Sequence, residues 1–506
     1  MFKYIYSSLL LVFSITLIVG NIFNLQTRLS FQTHPAVALV VMLFSIVWLT
    51  MVEGGQGAIV GLGPVDPDLY KESHPMSHRC TSIVYKGDNL QRYLLGRQFM
   101  VILIVFIVEL CGATHGGDHG VELWGLPNWI INIFLSSGVA MILFTCMVGQ
   151  LNSEIISCHY MLDYLNSWFA LITVWVALAI EFSGILHICY LVQRFVGYVA
   201  GQPIESREPD RSVLQNIFYY GRCLMSFALL CFAFAVTFVA IFEKKTTVWE
   251  QVPPWASVVI FFSLMGCIGI LEGSQIAYFA VVKMQTSEQG QDGSMGWFAK
   301  KSACILFKNH NHNLAAFLVG RQLCVVSCMF FIARITAVKL EPGEANIFGV
   351  PDWLQAIFNT GLLGALIVAV VASVSWRLVA SAFPLAFFKN PLPYVFLRLC
   401  LLLEMTGLLH GAWVIAFIIK KLTRVQRDEV YIGTAEERSE KLMADKSKRQ
   451  MLAGNPLPAC DVGDDEPPVV LSYDDDDDKD DDVVKDDETP DAAGTSVEGD
   501  SDEMAV

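Results

Sequence analysis

Residues 44–62 read FSIVWLTMVEGGQGAIVGL and residues 263–281 read SLMGCIGILEGSQIAYFAV. In each stretch a Glu-Gly-x-Gln motif, Glu53-Gly54-Gly55-Gln56 or Glu272-Gly273-Ser274-Gln275, interrupts an apolar run that resumes beyond it. A helix crosses the hydrocarbon layer of a bilayer with roughly 20 mostly apolar residues, so runs of this kind can be counted directly. Ten are present, near 4–22, 36–56, 94–113, 127–149, 166–192, 213–242, 255–280, 314–335, 351–375 and 391–419. A composition of 54% hydrophobic and 16% charged residues excludes an ordinary soluble domain. The expected class is an all-α polytopic membrane protein.

The two motif stretches belong to a longer internal repeat, at an offset of 219 to 224 residues. Gly96-Arg97-Gln98 returns as Gly320-Arg321-Gln322, and Gly125-Leu126-Pro127-Asn128-Trp129 as Gly349-Val350-Pro351-Asp352-Trp353. Glu181, Gly184 and His187 return as Glu404, Gly407 and His410, while Ile22-Phe23, Gln32 and Pro35 match Ile241-Phe242, Gln251 and Pro254. The first run, behind Lys3, has the look of a secretory signal. Its counterpart at 213–242 keeps it as a helix of the protein. Each unit, 1–212 and 213–420, then holds five runs, and an odd number places the start of the second unit on the opposite side of the membrane. Two inverted five-helix repeats are therefore expected, the architecture of secondary transporters that bind solute and coupling ion between the halves. The cluster Lys420, Lys421, Arg424 and Arg427 favours a cytoplasmic C-terminus, and ten crossings put the N-terminus on the same side. Cys80 and Cys304 are repeat mates expected in loops on opposite faces, so no bond between them is expected.

The formal charge of −15 is concentrated at one end. Residues 461–506 hold 20 Asp or Glu against Lys479 and Lys485, including Asp474 to Asp478 and Asp480 to Asp482, so a disordered acidic tail follows a charged cytoplasmic segment at 421–460. Thirteen cysteines without a CxxC spacing read as reduced core residues.

The chemistry lies in the doubled motifs. An Arg or Glu at membrane depth costs about 2.5–3.5 kcal/mol on insertion scales and pairs or faces water. Pairing of Glu53 with Arg97 and of Glu272 with Arg321 is one reading; a coupling-ion or proton site at the glutamates is the other. Glycine lowers helix stability by about 1 kcal/mol relative to Ala and permits close backbone approach, so a helix break is expected at the Glu-Gly-x-Gln motifs. Gly-Arg-Gln is read as opening the helix that follows. Gln56, Gln98, Gln275 and Gln322 each offer two donors and an uncharged acceptor. Together they suit a small neutral solute with several hydroxyls, and the alternative is hydrogen bonding between helices.

Two E-G-x-Q motifs, each followed some forty residues on by G-R-Q, in a ten-run chain with a hydrophilic C-terminus, resemble the silicic acid transporters of diatoms and related silicifying eukaryotes. The resemblance covers roughly residues 1–420. Met161-Leu162-Asp163, near Cys158, matches a further motif of some diatom members only loosely, with the cysteine displaced. The coiled coil that many members carry has no clear counterpart, because 421–452 is charged with a poor heptad pattern. The resemblance implies uptake of orthosilicic acid, commonly coupled to sodium, at the plasma membrane, with an intracellular vesicle membrane as the alternative location. It assigns the substrate-binding role to Gln56, Gln98, Gln275, Gln322, Gly54, Gly96, Gly273 and Gly320, and the ion-coupling or charge-pair role to Glu53, Arg97, Glu272 and Arg321. No bound cofactor is implied beyond the coupling sodium ion. The partners are silicic acid and the lipid bilayer, without nucleic acid, and a homo-oligomer is left open.

Glu181 and His187, like Glu404 and His410, stand six residues apart, which is about 120° off a common helix face. They meet only if the helix bends at Gly184 or Gly407; otherwise the carboxylates are interhelical hydrogen-bond partners. His115-Gly116-Gly117-Asp118-His119, His310 and His312 read as polar loop residues. Ser136, Ser137 and Gly138, opposite Asn359, Thr360 and Gly361, give small polar faces for close packing. Competing functions are a carrier or channel for borate or a polyol, a membrane-embedded enzyme, and a receptor or scaffold. Repeated His clusters, nucleophile elbows and phosphate loops, which an enzyme would call for, are missing from the sequence.

Overall fold

Eight helices are long and apolar enough to cross a bilayer among the residues that the computed structural model describes, namely 1–114, 123–201, 211–249, 251–285, 297–306, 312–340, 344–434 and 437–438. The acidic tail, most of the charged segment before it, the 115–119 histidine set and His310 lie outside the described residues.

Seven helices of the first half reappear in order in the second. They are α1 (Phe2–Phe23), α2 (Pro35–Gly61), α3 (Pro75–Val84), α4 (Asn89–Gly112), α5 (Val139–His159), α6 (Trp168–Phe182) and α7 (Ile188–Ala200). Their counterparts are α8 (Val213–Phe242), α9 (Pro254–Gln285), α10 (Trp297–Leu306), α11 (His312–Thr336), α12 (Leu362–Ser381), α13 (Pro391–Met405) and α14 (Gly411–Thr423). The inner helices α4, α5, α11 and α12 are mostly buried, whereas α2, α8 and α9 bury only about a third of their apolar stretch. Val40, Val47, Phe218, Leu224 and Val259 on these outer helices are exposed. Apolar surface on this scale is what a lipid environment covers.

Two sequence expectations are corrected. The Glu-Gly-x-Gln motifs do not break their helices, since α2 and α9 run through them without interruption. The glycines serve contact instead: a Cβ at Gly54 would lie 2.5 Å from the Tyr164 hydroxyl and 2.9 Å from the Ser153 carbonyl oxygen. Gly-Arg-Gln does not open a helix either, because Gly96 sits about two turns inside α4.

The breaks fall elsewhere. The run at 166–192 is two helices, α6 and α7, parted at Gly184 (φ +87°), and the run at 391–419 is α13 and α14, parted at Gly407 (φ +75°). Positive φ is the conformation that glycine adopts at little cost. A second pair of breaks, at Gly138 (φ +83°) and Gly361 (φ +80°), precedes α5 and α12. Each of these two helices then carries a π segment, Thr145–Leu151 or Val368–Val374.

The halves interlock through their first helices, each of which reaches a break in the opposite half. Ser7 of α1 donates to the Leu408 carbonyl (2.6 Å) and accepts from the Gly411 N–H (2.8 Å), bridging the break between α13 and α14. Its mate Ser226 of α8 donates to the Ile185 carbonyl and accepts from the Ile188 N–H (3.2 Å), bridging the break between α6 and α7. Arg28 likewise donates to the Asn359 carbonyl (3.0 Å), and Arg334 to the Ser136 carbonyl (2.6 Å). These two carbonyls end the short helical stretches ahead of Gly361 and Gly138. Backbone groups freed by a break must find partners when water is excluded, and here the opposite half supplies them.

Candidate functional site

The Glu-Gly-x-Gln and Gly-Arg-Gln motifs meet where α2 packs on α4, and again where α9 packs on α11. A Cβ at Gly96 would overlap the Ala177 carbonyl of α6, and one at Gly320 the Cys400 carbonyl of α13, so both motif glycines allow a helix to approach at backbone distance. The next residue, an arginine, is thereby buried.

In the first half Arg97 is 2% exposed and Glu53 7%. The Arg97 guanidinium binds Glu53 Oε2 through Nη2, the Val52 carbonyl through Nε (3.2 Å) and the amide oxygen of Gln98 through Nη1 (2.9 Å). The other oxygen of Glu53 accepts from Gln150 Nε2 of α5 (3.1 Å). The carboxylate is thus held by one cation and one neutral amide.

The second half repeats the parts with a different outcome. Arg321 donates to the Gln322 amide oxygen (2.7 Å), but its nearest approach to Glu272 is 3.7 Å, Nη1 to Oε1. Glu272 is taken by Arg377 of α12, which donates to Oε2 from Nε (2.8 Å) and from Nη2. Here the carboxylate faces two cations.

With their oxygens engaged by arginines, Gln98 and Gln322 have their NH2 groups to offer a ligand. Gln56 and Gln275 sit three residues beyond the glutamates on α2 and α9 and are partly buried. The Gln275 amide oxygen is buried without a partner. The motif residues thus form two clusters, one per half, and electrostatics joins them: the Arg377 guanidinium feels Arg97 as well as Arg321 and Glu272. Gly54 and Gly273 lie under Tyr164 and the Phe387 ring.

Gln150, Glu154 and Arg377 are missing from the sequence reading. The register that equates Gly138 with Gly361, an offset of 223 residues, also sets Glu154 opposite Arg377 and Gln150 opposite Ser373. A charge of opposite sign at mated positions is the signal that could have found them.

The bends at Gly184 and Gly407 bring each Glu and His together, and Glu181 of α6 also accepts from the Tyr190 hydroxyl of α7 (2.9 Å). His187 Nε2 lies 3.7 Å from Glu181 Oε1, and His410 Nε2 lies 3.8 Å from Glu404 Oε1, each pair within its own broken helix. The turn at Gly184 or Gly407 supplies the rotation that a continuous helix denies.

A family model described as Silicon transporter matches residues 1–500, and the chain belongs to that family. Comparison with curated proteins and with solved structures returns no match.

Proposed function

We propose that this multi-pass member of the silicon transporter family carries silicic acid across the plasma membrane in symport with sodium, by alternating access between two inverted halves, with both termini in the cytoplasm. The observation that carries the reading is the duplicated buried cluster of a carboxylate, a guanidinium and an amide on inner helices of each half. Silicic acid is neutral and tetrahedral near pH 7, and each of its four hydroxyls gives and receives a hydrogen bond when water is removed. The NH2 groups of Gln98 and Gln322 are donors, and the unpartnered oxygen of Gln275 is an acceptor. Neutral amides match an uncharged solute without drawing in an ion. The arginines fix the two amide oxygens and so orient the side chains, while Glu53 and Glu272 balance the arginines.

Family membership supports silicon as the cargo, and the two halves pack on each other through their inner helices and through bonds from their first helices to the breaks. No catalytic step is proposed. The test is uptake of germanic acid, as a silicic acid mimic, into vesicles containing the purified protein, with and without an inward sodium gradient. We expect accumulation only with the gradient, competition by silicic acid but not by glycerol or borate, and a loss of at least about tenfold in Gln98→Ala and Gln322→Ala, in line with about 1.4 kcal/mol per lost amide contact. Accumulation that ignores the gradient would refute symport, and equal competition by borate would move the substrate to another hydroxylated solute.

A further inference from the structure

The two halves differ in charge at one pair of mated positions. Glu154 of α5 and Arg377 of α12 each stand three residues beyond the π segment of their helix. Arg377 spends its guanidinium on Glu272. In the first half the neutral amide of Gln150 takes that place on Glu53, one helical turn ahead of Glu154. The second cluster therefore contains Glu272, Arg321 and Arg377, with one positive charge in excess. The first contains Glu53, Arg97 and Glu154, with one negative charge in excess.

Among the described residues Glu154 has no built-in counterion at contact distance. The charges acting on it are Glu53, Arg321, Arg97 and Glu272, and neither of these arginines forms an ion pair with it among the described residues. Arg97 is committed to Glu53, and Arg377 to Glu272. Glu154 is half-buried, and a carboxylate there without a contact counterion favours the arrival of a cation. A second unsatisfied group stands four residues earlier on the same helix: the amide oxygen of Gln150, a residue only 1% exposed, is buried with no hydrogen-bond donor among the described residues. A carboxylate and an amide oxygen one turn apart on one helix are hard oxygen ligands, the kind that hold alkali and alkaline-earth cations.

We propose that Glu154, together with the amide oxygen of Gln150, binds an exchangeable monovalent cation, sodium or a proton, which does in the first half what the Arg377 guanidinium does permanently in the second. Coupling follows from the asymmetry. In the second half Glu272 holds a second cation, Arg377, whatever the conditions, whereas the first cluster becomes neutral only when the exchangeable cation arrives. Stripping water from the first cluster as the halves close is then favourable only with the cation aboard. The ionisable groups whose charge acts on Glu154 are Glu53 of α2, Arg97 of α4, Glu272 of α9 and Arg321 of α11; Lys420 of α14 lies over the Tyr160 ring at the end of the same segment. The coupling step rests on the transport reading above, whereas cation binding stands without it.

Thermal melting of the purified full-length protein in detergent, without silicic acid, tests binding directly. Sodium replaces choline at constant ionic strength, and pH is varied in a second series. A ligand that binds only the native state raises the melting temperature as its concentration passes its dissociation constant. We expect a sodium-dependent rise in wild type that is absent in Glu154→Gln, weakened in Gln150→Leu and retained in Glu154→Asp. If the cation is a proton, sodium has no effect, and the wild-type melting temperature depends on pH between 5 and 8 in a way that Glu154→Gln lacks. Should Glu154→Gln fail to fold, the contrast of Gln150→Leu with Glu154→Asp decides. Sodium and pH responses that are the same in wild type and variants overturn the proposal. In vesicles, the ratio of uptake with and without the cation gradient should fall to about one in Glu154→Gln. A wild-type protein that binds sodium through Glu154 yet accumulates no silicic acid would sink the transport reading and leave the cation site standing.

Discussion

At Gly96 and Gly320 a single hydrogen atom decides whether the motif arginine can be buried. Each glycine faces a backbone carbonyl, Ala177 or Cys400, that cannot rotate away as a side chain would. Gly96→Ala and Gly320→Ala should therefore cost at least the upper end of the roughly 1–3 kcal/mol typical of overpacking. We expect a melting temperature lowered in each variant, with less protein recovered from the membrane, and a wild-type melting temperature in either would show that the crossing tolerates a wider gap. The recurrence of Gly-Arg-Gln was legible in the sequence. Its use of glycine was not, because the atom it must clear lies about eighty residues further along the chain.

The elements most affected by tertiary context are the broken fifth and tenth runs. Apolar composition alone makes 166–192 and 391–419 look like single spans, and the glycines inside them are only weak break signals. The breaks persist because Ser226 and Ser7, from the first helix of the opposite half, satisfy the freed N–H and C=O groups. Ser7→Ala or Ser226→Ala leaves a buried donor and acceptor unpaired, at about 1–3 kcal/mol per group. Hydrogen exchange should accelerate at 408–411 in the first variant and at 185–188 in the second. Unchanged exchange at those amides would mean that the turns hold themselves. By contrast, α1, α2, α4, α8, α9 and α11 fall within a few residues of their apolar runs, since the run length itself sets a helix that crosses lipid.

Across the whole molecule, the segment after α14 is tied back to the first half. Asp428, only 5% exposed, accepts from the backbone N–H groups of Met161 and Leu162 (both 2.8 Å), while Asp163 accepts from the Gln426 N–H (2.7 Å) and contacts His74 Nε2 (3.1 Å). Burial pushes the Asp428 carboxyl up to about 6, against the pull of its two backbone hydrogen bonds. A free aspartate gives up its proton near pH 4, about two units lower. The docked state therefore binds more protons than the released one between these values. The stability that this group contributes to docking is full below about pH 4 and is lost as pH rises through about 6. Corrected for intrinsic rates, amide exchange in 425–432 should be slower at pH 5 than at pH 7.5, and Asp428→Asn should remove the difference. A wild-type difference of opposite sign would show that the ionised carboxylate is the docking form.

The sequence by itself determined that the chain lives in lipid, that it is built twice over, and which charged and amide side chains are duplicated at depth. Each of these is a local property: the length of an apolar run, or a motif and its echo. Tertiary structure alone decided which carboxylate each arginine serves and where helices break. Glu272 is claimed by Arg377, 105 residues away, in preference to the Arg321 of its own motif pair. Glu53 keeps Arg97 and gains an amide from Gln150. In a water-poor interior every polar group must be satisfied by whatever the packing brings within reach, and that choice depends on neighbours in space, which no periodicity along the chain encodes.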